Sequence, residues 1–289
     1  MLADILKKWV VAQGRNNKDY FNKYISFHKY YQQLPEDNKF EFVGIDKIQD
    51  VSLSSKYLNE LLPDTKKELA TSDKIDSLLL QIEYLNSVYI NSPDTLSILS
   101  HLHSNFKYLQ QKENRGTVMF ENFHKLYKSY QLYESRIYGY YGLFHIFQYR
   151  VNGKHPLASR IRQSDLGLEN QILSINFLLN DSYTVMPSSK FPEFMRDEGK
   201  YTRIPVSADN LLIMYIYGIK DFKRMTPENS KSLIKMNAEN SPYSQSNRMN
   251  TTFQLLPVTD LFEMNDKGKP YIQYTIFVRN SDWAEPMSE

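Results

Sequence analysis

The chain has 289 residues, with 35 Lys and Arg against 33 Asp and Glu, a formal net charge of +2 and no cysteine. The missing cysteines exclude a disulfide framework, a cysteine zinc site, an iron–sulfur cluster and a thiol nucleophile. The longest nearly unbroken apolar run, residues 211–219, is nine residues long, whereas a spanning helix needs roughly 20.

The opening Met-Leu-Ala-Asp-Ile-Leu-Lys-Lys-Trp lacks the order of basic start, apolar stretch and small-residue cleavage site that marks a secretory signal. The expectation is a cytoplasmic protein with no cofactor, no metal and no membrane partner. An apolar share of 41% beside 24% charged residues is ordinary for a globular chain, but 22 Tyr and 16 Phe carry much of it. Tyrosine joins a large apolar body to a polar tip, so it packs between helices and at core edges, and also suits interfaces and stacking platforms. Helices rich in Tyr and Phe are therefore candidate contacts for a protein partner or a second copy of the chain. The net charge is too small to argue for nucleic acid globally, so a binding patch must be local.

In chain order, Tyr20, Phe21, Tyr24, Phe27, His28 and Tyr31 recur at three- and four-residue steps and predict an amphipathic helix over 17–34, closed by Pro35. A short helix over 53–62 ends at Pro63, and a longer one starting at Ser72 carries Ile75, Leu78, Leu79, Ile82, Leu85 and Tyr89 on one face. Ser92-Pro93 reads as a cap followed by the first helical position of the next helix, which runs through Leu109. The same rhythm over 118–149 predicts one central helix of roughly eight turns, broken at Asn152-Gly153 and His155-Pro156. A further helix is expected over 166–179.

The stretch 183–206, with three prolines and a glycine, reads as an irregular linker. Beyond it the spacing predicts helices over 210–219, 226–236 and 245–256, then a hairpin of 261–264 with 271–278. Residues 211–219 read equally well as a buried strand. The expected fold is thus mainly α: a helical bundle over 1–182, the linker 183–206, and a smaller α+β, winged-helix-like region over 207–289.

Phosphate loops, dinucleotide fingerprints, His-Glu-x-x-His and nucleophile elbows are absent, so no motif names a reaction. His101 and His103 lie about 200° apart around a helix axis, too divergent to clamp one metal. Arg150 and His155 have the Arg-x-x-x-x-His spacing of HEPN ribonucleases, in which a dimer lets an imidazole move a proton while a guanidinium holds the scissile phosphate. Val151 and Pro156 depart from that pattern, and a capped helix end with solvated charges is the alternative. Arg160 and Arg162, with Glu169, place two guanidinium groups on one side of a segment that could grip phosphate or form salt bridges. In the winged-helix reading Asn247 and Arg248 lie on the third helix, Lys267 and Lys269 on the wing, and Lys220, Lys223 and Arg224 between helices, the geography of base and phosphate contacts. Asp260, Glu263 and Asp266 sit among them and keep a protein-contact wing open as the alternative.

Three stretches, 120–147 with its tyrosine-rich helical spacing, 157–166 with Arg160-Ile-Arg-Gln163, and 168–177 opening at Glu169, together resemble the AbiC-like family of phage abortive infection proteins. Tyr141, Phe144, Ile146, Ile161, Arg162, Glu169 and Asn176 stand at the matching positions. The resemblance covers about 60 residues and is mostly apolar spacing. It implies a bacterial defence role in which infection triggers growth arrest, and it supplies no catalytic residue. Members of that family often look membrane-tethered at the N-terminus, which this chain does not. A nucleic-acid-binding or assembly protein without a defence role, and an enzyme of HEPN type, are the other expectations.

Overall fold

The computed structural model describes residues 6, 7, 10, 17–64, 74–212, 214–243, 248, 249, 252–255, 262–266 and 268–286. The fold is mixed α+β. The described residues fall into two compact units, one drawn from 1–42, 142–159 and 170–289, the other from 43–141 and 160–169. Among the described residues no helix is long and apolar enough to cross a membrane.

The second unit is helical. Ahead of it, in the first unit, the chain forms α1 (Lys18–Gln33); the helices of the second unit are α2 (Val51–Leu61), α3 (Ile75–Val88), α4 (Pro93–Gln110) and α5 (Arg115–Ser129). Their starts follow local chemistry. Asp50 accepts the Leu53 N–H at 3.0 Å and Asn114 accepts the Thr117 N–H at 2.9 Å, each satisfying one of the donors a helix N-terminus leaves open. Pro93 opens α4 after Ser92, at the position where its missing N–H does no harm. Ser72 lies outside the described residues. Leu58, Leu78, Ile82, Leu85, Leu99 and Phe106 form the core of this unit. Between α4 and α5 the buried amides of Asn105 and Asn122 exchange hydrogen bonds of 3.3 and 3.2 Å, and Asn122 also donates to the Ile45 carbonyl at 3.1 Å.

The single helix expected over 118–149 does not form. α5 stops at Ser129 because Gln131 turns left-handed at φ 52°. A 3-10 turn follows at Leu132–Glu134, and the Tyr133 ring folds back edge-on to Tyr127. Farther on, a Cβ at Gly139 would collide with the Tyr141 ring, so this close approach needs glycine. Helical spacing resumes only in α6 (Leu143–Ile146).

The first unit is built around β1 (Ile175–Asn180), β6 (Lys231–Lys235) and β8 (Tyr274–Arg279). β8 is the middle strand, parallel to β1 and antiparallel to β6. β1 takes the place of the second half of the helix expected over 166–179. The expected linker 183–206 is an antiparallel pair instead, β2 (Ser182–Pro187) with β3 (Tyr201–Val206). The Arg203 guanidinium lies 3.6 Å from the Tyr183 ring centroid across that pair. β4 (Asp209–Asn210), β5 (Met214–Ile216) and β7 (Thr252–Phe253) form a third small sheet, and α8 (Ile219–Met225) precedes β6.

These elements correct the expected order of three helices and a hairpin. Residues 214–216 and 231–235 are strands, and 252–253 is a strand within the span of the expected third helix. The 271–278 stretch is extended as expected, but its partners are β1 and β6. Met264 instead bridges Val151, while Leu261 and residues 244–247 lie outside the described set. The cause is non-local pairing, which overrides a periodicity that short apolar runs satisfy as strand or helix alike.

Phe222 of α8 packs edge-on to Phe277 of β8 at 5.4 Å and to Tyr243 at 5.2 Å, centring a core with Phe147, Leu178, Ile216, Ile219 and Tyr271. Arg279, at the end of β8, donates to the Lys223 and Thr226 carbonyls at 3.0 and 2.6 Å, filling acceptors that the C-terminal end of α8 leaves open. The buried Gln148 amide donates to the Ile172 carbonyl, Ser174 Oγ and Gln273 Oε1, tying the entry of β1 to that of β8.

Candidate nucleic-acid interface

Gly218 starts α8 at φ 94°, and a Cβ there would lie 3.1 Å from Arg248 Cβ, so both backbone and packing select glycine. From that start Ile219 and Phe222 are driven into the core, which turns Lys220 and Arg224, four residues apart, to the exposed side. Lys223 is not a free cation. Its Nζ lies 2.8 Å from Asp209 Oδ2 and 3.0 Å from Asp181 Oδ2, and Ser207 Oγ donates to Asp209 at 2.6 Å. The hydrogen bond to Asp209 raises the Lys223 ammonium above its ordinary value, against burial and with help from Asp181. Burial pushes the Asp209 carboxyl up, but hydrogen bonds from Lys223 and Ser207 outweigh it and hold the group below the usual carboxylate range.

Arg248 is likewise committed, with Nη1 2.7 Å from Asp221 Oδ2. Lys269 Nζ lies 6.0 Å from the Tyr149 ring centroid, at the outer limit of a cation–π contact. Asn247 and Lys267 are outside the described residues.

Arg150 and His155 flank a tight turn. Asn152 and Gly153 both have positive φ, 51° and 70°, and Val151 and Lys154 close the turn with reciprocal backbone bonds of 2.9 and 3.0 Å. This is not the junction of two bundle helices that the Arg-x-x-x-x-His spacing implies. Arg150 grips Asp266 through Nη2 at 3.1 Å and its backbone N–H at 3.0 Å. That side-chain hydrogen bond raises the Arg150 guanidinium and lowers the Asp266 carboxyl. His155 Nδ1 is 3.0 Å from the buried Ser159 hydroxyl. Asp266, Ser159 and Tyr271, whose hydroxyl donates to the Arg150 carbonyl at 3.0 Å, join this cluster without any sequence signal to link them.

Arg162 and Glu169 do meet, at 3.2 Å. Arg160 and Arg162 lie on α7 (Leu157–Gln163), and two residues of a helix are about 200° apart, so their guanidinium groups diverge instead of sharing a side. Among the described residues no group of three or more His, Asp or Glu side chains is placed to hold a metal ion.

One surface of the first unit was not foreseen. On the face of the β1–β8–β6 sheet opposite Leu178 and Phe277, the register sets Ile175, Tyr274 and Lys235 in one row and Phe177, Ile276 and Leu233 in the next. Phe177 is 60% exposed and Leu233 64% exposed, Ile175 and Lys235 are exposed as well, and the central Tyr274 and Ile276 are half-buried, so the two rows reach solvent most at their edges. The third row, Leu179, Val278 and Lys231, is closed at its centre, where Val278 is buried, and open at Lys231. Compared with protein-family models, curated proteins and solved structures, the chain matches none of them.

Proposed function

We propose that the chain is a nucleic-acid-binding component of a bacterial antiphage system of the abortive-infection type, acting in the cytoplasm. The observation that carries the binding half is the excess of exposed basic residues on two elements, α8, which packs through Phe222 on the Phe277 side of the sheet, and β6, whose lysines lie on the open side. Residues 220–235 hold five basic side chains and two acidic ones, in a chain with a net charge of only +2. Lys220, Arg224, Lys231 and Lys235 are all exposed. The reading keeps nucleic-acid contact and drops winged-helix docking, since 231–235 is a strand and Lys223 and Arg248 are held by carboxylates. The defence half rests on the resemblance of 120–177 alone.

Replacing Lys220, Arg224, Lys231 and Lys235 together by alanine is expected to weaken binding and flatten its salt dependence. Each lost phosphate contact removes about 0.7 to 0.9 from the slope of log affinity against log salt. An unchanged slope rejects the binding reading. Phage plating on cells that express the chain tests the defence reading, which fails if plating efficiency does not fall.

Exposed tyrosines favour a second reading, in which the partner is a protein. Tyr133, Tyr138 and Tyr140 are 62%, 81% and 53% exposed within the irregular stretch after α5. Serine at all three positions would leave nucleic-acid affinity intact and abolish capture of that partner.

A further inference from the structure

The open face of the β1–β8–β6 sheet combines three features. It presents two aromatic rings, its cations are on one edge, and none of its nine side chains is acidic. Phe177 lies opposite Ile276, and Tyr274 precedes Ile276 by two residues, so the two side chains are diagonal neighbours on one face. Lys231 and Lys235 bracket Leu233 on the edge strand, about 13 Å apart along β6 at 3.3 Å per residue.

From this arrangement we propose that the face binds single-stranded nucleic acid, stacking one base on Phe177 and one on Tyr274 while Lys231 and Lys235 track the phosphates. The proposal rests on the nucleic-acid reading above and names its substrate class. A duplex keeps the faces of its bases stacked against one another, so the rings can be covered only by unpaired bases. Every base has a π-face, and the cations meet phosphates, so binding is tolerant of sequence and of the sugar. The absence of acid from the face is what separates this occupant from a basic peptide, which two lysines would repel.

The test uses the full chain and three fluorescein-labelled probes at low salt: a 12-mer of uridine, a 12-mer of thymidine and a 12-base-pair DNA duplex. The two single strands are expected to bind alike and more tightly than the duplex. Phe177→Ala and Tyr274→Ala are each expected to weaken single-strand binding by on the order of tenfold, and Phe177→Trp to preserve it. Phe177 is exposed, so its replacement leaves the fold intact, and the tryptophan variant decides the matter if the tyrosine variant does not fold.

Failure of all three probes to bind overturns both this proposal and the nucleic-acid reading. Binding that ignores Phe177→Ala, or a preference for the duplex, overturns this proposal and leaves the broader reading standing. A dimer seen by light scattering that Phe177→Ala dissolves would assign the face to a second copy of the chain and overturn it as well.

Discussion

The helical unit and the mixed unit solve the same problem, burying a core, with contacts of different range. In the helical unit the expected runs over 53–62, from Ser72 and through Leu109 became α2 to α4, only the first part of 118–149 became α5, and Leu78, Ile82 and Leu85 point inward at the helical spacing that announced them. In the mixed unit the central pair joins Ile175 to Tyr274 and the next joins Leu233 to Ile276, partners separated by about 100 and about 40 residues. A stripe on one helix is written locally. A strand is specified by what it pairs with, and that partner can be far along the chain.

Substitutions can sharpen this contrast. The largest effect is expected from Phe222→Ala, which empties the ring site between Phe277 and Tyr243 and costs about 3–5 kcal/mol, measured by urea unfolding. A cost below about 1 kcal/mol would mean that the long-range core is not what holds the mixed unit. In the helical unit Asn122→Ala removes the donor to the buried Asn105 Oδ1 and to the Ile45 carbonyl, while Asn105 Nδ2 keeps the His101 carbonyl, and is expected to cost about 1–3 kcal/mol. A double-mutant cycle with Asn105→Ala should then show coupling, and strict additivity would refute the reciprocal pair. Asp50→Ala removes a local cap and should cost about 1 kcal/mol, read from the thermal midpoint.

The smallest effect is a matter of pH. The Asp209 carboxyl is lowered in the folded chain from an ordinary value of 3.8. Its contribution is therefore complete only above about pH 5 and declines as pH falls through the ordinary value and then the lowered folded one. Asp209→Asn should reduce the acid sensitivity of the mixed unit, followed by near-ultraviolet circular dichroism of its aromatic core. Equal acid profiles for the two proteins would show that the Lys223 tie contributes nothing to stability.

Much of the helical unit was legible in the sequence, down to Pro93 at the start of α4. What failed there failed for a local reason: Gln131 adopts a conformation that glycine or asparagine usually signals, so nothing in Tyr130-Gln131-Leu132 announced the end of α5. In the mixed unit Ile175-Asn-Phe-Leu-Leu-Asn180 carries apolar residues that suit a helix, and only pairing with β8 turns Phe177 outward and Leu178 inward. The basic residues of α8 were visible as residues but not as partners, because Asp181 and Asp209 reach Lys223 from strands and turns up to 42 residues away. The Arg162–Glu169 pair was legible because seven residues is a short reach.

The position of β8 also sets an order of events during synthesis. Both neighbours of this strand emerge before it does, β1 by nearly 100 residues and β6 by about 40. Until Tyr274 to Arg279 leave the ribosome, the edges of β1 and β6 that will face β8 have no partner, while α2 to α5 already hold every helix they need. A nascent chain paused near residue 250 would therefore carry finished helices beside two waiting strands, the state in which a chaperone has most to cover.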